Sequence, residues 1–212
     1  RFCVRDGAPL QPAVAASAPR ATGGRPQAAP PTHPIASQAT THALRATEAF
    51  AHGRYHQAIQ QGQAALTQGA TGADLLLTLA RSYEHVGRTL EAAEAYERAA
   101  QAHADPAMWL AAARSWRTLG RLVEAQLALT HARQLTPDDA EVSYQLGVVN
   151  LDLGQLAQAE GDLRDALRLA PHSAPTLVAL GRLDEARGQY GAASATLREA
   201  TEADPASGEA RC

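Results

Sequence analysis

One three-residue pattern recurs five times along the chain: Gly53-Arg54-Tyr55, Gly87-Arg88-Thr89, Gly120-Arg121-Leu122, Gly154-Gln155-Leu156 and Gly188-Gln189-Tyr190, at intervals of 34, 33, 34 and 34 residues. A unit of that length is a single supersecondary element, too short to bury a hydrophobic face alone, so neighbouring copies must stack and share a core. In the same register an alanine follows each glycine by five residues (Ala58, Ala92, Ala125, Ala159, Ala193), and another follows by twelve (Ala65, Ala99, Ala132, Ala166, Ala200). Between them stands a larger residue in four copies, Tyr96, Leu129, Leu163 and Leu197, where the first copy has Gly62.

Spacings of three, four and seven lie along one face of an α-helix, and an alanine there lets a neighbouring helix approach closely. A second stripe precedes each glycine: Leu76, Leu79, Ala80, Tyr83; Trp109, Ala112, Ala113, Trp116; Leu146, Gly147, Asn150; Leu177, Leu180, Gly181. Each unit therefore reads as a helical hairpin whose glycine ends the first helix and permits the reversal. The punctuation agrees. Asp105-Pro106 and Thr136-Pro137-Asp138-Asp139 supply N-cap oxygens and early prolines, while Pro171 and Pro205 stop the preceding helices. Aromatic residues make up only 4% of the chain, which suits helices packed through small residues and argues against sheets.

The unit carrying Trp109, Ala112, Ala113, Trp116, Ala125, Leu129, Ala132 and Pro137 resembles the tetratricopeptide repeat. The resemblance covers residues 39–207 as five repeats, 39–72, 73–105, 106–139, 140–173 and 174–207, with 208–212 as the start of a truncated next repeat. It implies an all-α fold, a right-handed α-solenoid of helical hairpins. Departures from the pattern are Gly62, Asn150 and Asp184 at the usual aromatic position, and one residue missing from the second repeat.

The resemblance further implies a non-catalytic scaffold that binds a peptide or partner domain in its concave groove, lined mainly by the first helix of each repeat. The stripe opposite the packing face of those helices mixes apolar and charged groups. Its partner-binding candidates are Leu77, Arg81, Leu110, Arg114, Arg117, Tyr144, Val148, Leu151 and Arg182; a merely solvated helix face is the other reading. Arg81 has Glu84 three residues on and Arg182 has Glu185, pairs that neutralise themselves, whereas Arg114 has Arg117 at that spacing and favours an acidic or carboxylate-bearing peptide. Glu84 could instead satisfy Arg114 and close the site. The family's chaperone-tail class grips a carboxylate with Lys and Asn, and this chain has no Lys and a single Asn, Asn150, which sets it apart from that class.

Ahead of the repeats, residues 1–38 hold seven of the twelve prolines and a net charge of +3, and 11–38 read as a flexible linker. Residues 1–10 include Phe2-Cys3-Val4-Arg5-Asp6-Gly7-Ala8-Pro9-Leu10, which resembles the closing half of a bacterial zinc ribbon with Asp6 where the fourth Cys would stand. No zinc site can be assembled from the chain itself, and a frayed terminus with a solitary thiol is the alternative.

Nothing in the sequence points to catalysis. All 19 basic residues are Arg, which removes phosphate-loop and Schiff-base lysines, and no nucleophile elbow, zinc-protease helix or glycine-rich phosphate loop is present. His52 and His56 flank a turn and read as solvated. Trp109 and Trp116 read as core, and Glu91, Glu94 and Glu97 as a solvated face. No cofactor is expected. A net charge of −3 gives no footprint for nucleic acid or an anionic membrane, and the two cysteines at opposite ends favour a reducing, cytoplasmic compartment. The all-Arg, Ala-rich composition is associated with GC-rich bacterial genomes. Two alternatives to a free-standing scaffold stay open: a regulatory tail of a larger bacterial signalling enzyme such as a protein kinase, and a zinc-ribbon adaptor that oligomerises through its repeats. The face Ala193, Leu197, Ala200 is expected to lack a capping helix, which would leave that edge weak and open to self-association.

Overall fold

A computed structural model describes residues 34–203, and all regular structure among them is α-helical. The zinc-ribbon resemblance, most of the linker and residues 208–212 lie outside the described residues. Ten helices follow in order: α1 (Pro34–Ala51), α2 (Tyr55–Thr67), α3 (Ala73–His85), α4 (Thr89–His103), α5 (Pro106–Thr118), α6 (Leu122–Leu135), α7 (Ala140–Asp152), α8 (Leu156–Leu169), α9 (Ala174–Ala186) and α10 (Tyr190–Ala203). Helix α1 starts ahead of the linker boundary read at residue 38, with proline at a first position that needs no amide donor.

The helices pair as antiparallel hairpins, α1 with α2 through α9 with α10, and the second helix of each hairpin packs on the first helix of the next. The five turn glycines all adopt left-handed backbone, with φ between 70° and 74°. The amide after each one donates back to the carbonyl five residues up the chain: Arg54 to Ala49, Arg88 to Tyr83, Arg121 to Trp116, Gln155 to Asn150, Gln189 to Asp184. This closes the first helix with a Schellman-type bond that a β-carbon would strain, which is why glycine recurs at that point.

Helices α5, α7 and α9 start at side-chain caps. Asp105 accepts from the Ala107 amide at 2.9 Å, and Asp139 accepts from Glu141 and Val142 at 2.8 and 3.3 Å. Thr136 takes no part in starting α7: it ends α6, donating its hydroxyl to the Ala132 carbonyl. Ser173, which the sequence reading passed over, caps α9.

Both alanine columns are buried, the second at 0% exposure in all five copies. They serve the hairpin as well as the stack. A β-carbon on Gly147 would meet Leu163 and one on Gly181 would meet Leu197, so in the last two hairpins the large residue of the second helix sits over the small residue of its own first helix. The stripe of the last helix is engaged in the same way. Ala193 and Ala200 are buried, Leu197 lies over Gly181, and Ala200 clusters with Leu177 of α9, so the stripe offered for self-association is occupied by its own hairpin.

The aromatic position of α3, α5 and α7 reaches back toward the preceding repeat. Tyr83 accepts from Gln63 Nε2 at 2.8 Å, and Trp116 Nε1 donates to Glu97 at 2.8 Å, so Glu97 is bound and not merely solvated. Asn150 continues the pattern without a ring. Its Oδ1 accepts from Gln126 at 2.5 Å and its Nδ2 donates to Asp162 at 2.6 Å, while Arg133 donates to the other Asp162 oxygen at 2.8 Å. One continuous apolar cluster runs from α1 to Leu146 and Val149 of α7, and a separate one gathers Val148, Ala159, Leu163, Ala179 and Leu183. The polar network therefore sits where the hydrophobic core changes hands.

Candidate functional site

The inward stripe of the first helices forms a groove with three cavities along it. The first, of about 550 Å³, lies between α1 and α3 and is lined by residues that include Ala43, Leu44, Phe50, Leu75, Leu77 and Arg81. The second, of about 400 Å³, lies between α3 and α5, with Leu77, Arg81, Glu84, Tyr96, Met108 and Arg114 in its walls. The third, of about 510 Å³, lies between α7 and α9 and is bounded by Tyr144, Val148, Pro175, Val178, Arg182, Glu185 and Leu197.

Of the residues picked from the sequence, Leu77, Arg81 and Arg114 share one cavity, and Tyr144, Val148 and Arg182 share another. Leu110, Arg117 and Leu151 are half-buried along the same stripe but outside these cavities. Val148 is only 3% exposed and is the floor of its cavity, because the second apolar cluster packs around it. The sequence reading missed the contribution of α1: it drew no inward stripe for the first repeat, whose residues Ala43, Thr47 and Phe50 occupy that face.

The charge pairs differ from those expected. Glu84 takes the Tyr96 hydroxyl at 2.6 Å and forms no ion pair with Arg81 or Arg114. Burial and the Glu84 carboxylate together hold that phenol well above its ordinary value, so it stays a donor at neutral pH. Arg182 pairs with Asp152 of the preceding repeat at 3.4 Å, not with Glu185. Glu141 receives the Gln145 amide at 2.8 Å. Among the described residues no carboxylate lies within ion-pair distance of Arg81, Arg114 or Arg117. At the middle of the groove α5 contributes Arg114 and Arg117, neither of them ion-paired, while Glu84 and the α5 cap Asp105 line the same cavity as Arg81 and Arg114.

His52 lies in the α1–α2 turn and His56 in the first turn of α2. Trp109 and Trp116 are buried at 7% and 4% exposure; His131 stacks on Trp109, and Arg121 lies over the ring of Trp116. No helix among the described residues is long and apolar enough to cross a membrane.

Two models of the tetratricopeptide repeat match the sequence, one over residues 44–107, 77–133 and 110–174, the other over 151–211. No curated protein matches it significantly. Solved structures resemble the fold at low identity. YrrB, described as a TPR protein with an unusual peptide-binding site, aligns with a TM-score of 0.71 and 18% identity over 82% of this chain and 90% of its own. MamA aligns with a TM-score of 0.70 and 18% identity over 80% and 93%. A tetratricopeptide repeat protein from Parabacteroides merdae ATCC 43184 aligns with a TM-score of 0.69 and 18% identity over 80% and 68%. With the repeat period, the stacked hairpins and the family matches in agreement, the chain belongs to the tetratricopeptide repeat family, whose members are generally non-catalytic protein-interaction scaffolds.

Proposed function

We propose that this chain is a scaffold that binds an acidic peptide or the acidic segment of a partner protein in its concave groove, centred on Arg114 and Arg117. The observation that carries the reading is the set of guanidinium groups without an ion pair on the inward face: Arg81 and Arg114 share a cavity, and its two acids, Glu84 and Asp105, are engaged by the Tyr96 hydroxyl and the Ala107 amide. An arginine fork donates to a carboxylate bidentately, and such charge-assisted hydrogen bonds are roughly twice as strong as neutral ones. Tyr144, with Val148 beneath it, supplies apolar contact further along the groove, and half-buried Leu110 lies beside the arginines on α5.

The test is a peptide array probed with the repeats, compared with Arg114→Ala/Arg117→Ala and repeated at raised salt. Binding to acidic peptides should fall in the double variant and should weaken as salt shortens the screening length from about 10 Å at 0.1 M to about 3 Å at 1 M. Undiminished, salt-independent binding would place the site elsewhere.

A further inference from the structure

We infer that the end of the groove between α1 and α3 is an apolar anchor subsite, so that the chain selects a bipartite extended peptide: one bulky apolar side chain seated there, with acidic residues about four to six positions away over Arg114 and Arg117. The inference rests on the groove reading above and adds a second recognition element to it.

The cavity is built to take a hydrocarbon group. Leu75 is buried at its base and Leu77 half-buried in its wall, while Leu44, at 63% exposure, presents its side chain to solvent. Of the three threonines in the wall, Thr47 donates its hydroxyl to the Ala43 carbonyl at 3.1 Å and Thr78 donates to the Asp74 carbonyl at 2.8 Å, so these two hydroxyls are satisfied within their own helices; Thr40, Asp74 and Arg81 are the other polar groups of the lining. The aromatic wall is held in place before any ligand arrives. The Phe50 ring sits 5.8 Å from Tyr55 and 6.1 Å from His85, and those two rings stack at 4.1 Å. A preformed wall loses little entropy on binding, which raises affinity for a side chain that fits.

Continuity with the basic centre sets the register. Leu77 and Arg81 line both this cavity and the next one, which contains Arg114, so a single peptide strand can pass from one to the other. Packed helices lie roughly 10 Å apart, which places α5 about 15 Å from the midpoint of α1 and α3. An extended chain covers that distance in about four to six residues at roughly 3.3 Å each, whereas a helix rising 1.5 Å per residue needs about ten. Charge complementarity fixes the other half of the ligand, since Arg81 at the boundary and Arg114 beyond it form no ion pair among the described residues.

The experiment uses fluorescein-labelled synthetic peptides Phe-(Gly/Ser)n-Glu-Glu, with n from about 1 to 10, titrated into the full chain and read by anisotropy. Affinity should peak at n of about 3 to 5, and replacing Phe by Ser should weaken binding about tenfold. In Leu44→Gln, an exposed position whose change leaves the core intact, the Phe-to-Ser difference should shrink while dependence on the Glu pair persists. In Arg114→Ala/Arg117→Ala the reverse should hold. An affinity independent of n, or no loss on replacing Phe, overturns the anchor; if dependence on the Glu pair survives in that case, the acidic-groove reading still stands. A maximum near n of 9 or 10 would overturn the extended register, and no dependence on either element would overturn both readings.

Discussion

Gly147 and Gly181 occupy the same position of successive first helices, yet replacing each by alanine should change stability in opposite directions. The intrinsic term is common to both: alanine is favoured over glycine in a helix interior by about 0.8–1.0 kcal/mol. The packing term differs. At Gly147 a new β-carbon would lie 2.5 Å from Leu163 Cγ, 2.6 Å from its Cδ2 and 3.2 Å from its backbone nitrogen. Leu163 is fully buried, so relief requires helix α8 itself to shift. Overpacking of this kind typically costs about 1–3 kcal/mol, which outweighs the propensity gain and leaves a net loss of about 1 kcal/mol. At Gly181 the contacts nearer than 3 Å are both with the branched end of Leu197, at 2.8 Å, and Leu197 is half-buried on the rim of a cavity into which it can turn. The propensity term should then prevail, giving a gain of up to about 1 kcal/mol. Urea denaturation followed by far-ultraviolet circular dichroism, on parent and both variants at one protein concentration, reads the difference directly. If Gly147→Ala is as stable as the parent, or if both variants shift the same way, the reasoning from hairpin interdigitation is wrong.

Ala125→Leu should destabilise by about 1–3 kcal/mol, because Ala125 is fully buried in the column that sets helix separation; a thermal midpoint equal to the parent's would contradict that role. Asp139→Ala should cost about 0.5–2 kcal/mol and more than Ser173→Ala, since Asp139 accepts from two amides at 2.8 and 3.3 Å and Ser173 from one at 3.4 Å; equal losses in denaturant titrations would refute the ranking. Burial holds the Asp162 carboxyl above its ordinary value against the opposing pull of Arg133 and Asn150. A folded value above the unfolded one means that the stability this group contributes is fully present below about pH 4 and is lost as pH rises through the raised value. The stability of the parent relative to Asp162→Asn should therefore fall as pH rises across that window, and a difference that grows with pH would be inconsistent with burial as the dominant influence.

The hairpin architecture was legible in the sequence because it follows from local chemistry repeated in register. Gly53, Gly87, Gly120, Gly154 and Gly188 each need only their own turn to require left-handed backbone, and the alanine columns need only helical spacing to share a face. Asp105 and Asp139 are caps for the same reason: the amides they satisfy lie within three residues. Helical spacing was also enough to group the stripe of α3, α5, α7 and α9, whereas the cavity that Arg81 and Arg114 share is seen only in the structure. Partners on different helices were not legible. Glu84 could be paired on paper with Arg81 or Arg114, and only packing brings the Tyr96 hydroxyl to it from the second helix of its own hairpin. Arg182 finds Asp152 thirty residues away in sequence, and Glu97, read as solvated, meets Trp116. The anchor cavity escaped for the same reason, since its walls come from two helices and Leu44 has no sequence signal of its own. Helix periodicity and capping are set by neighbours within about four residues, so the chain alone determines them. Which charge meets which, and which apolar groups enclose a cavity, depend on the angle and separation of helices that meet only after stacking, and the tertiary structure alone decides them.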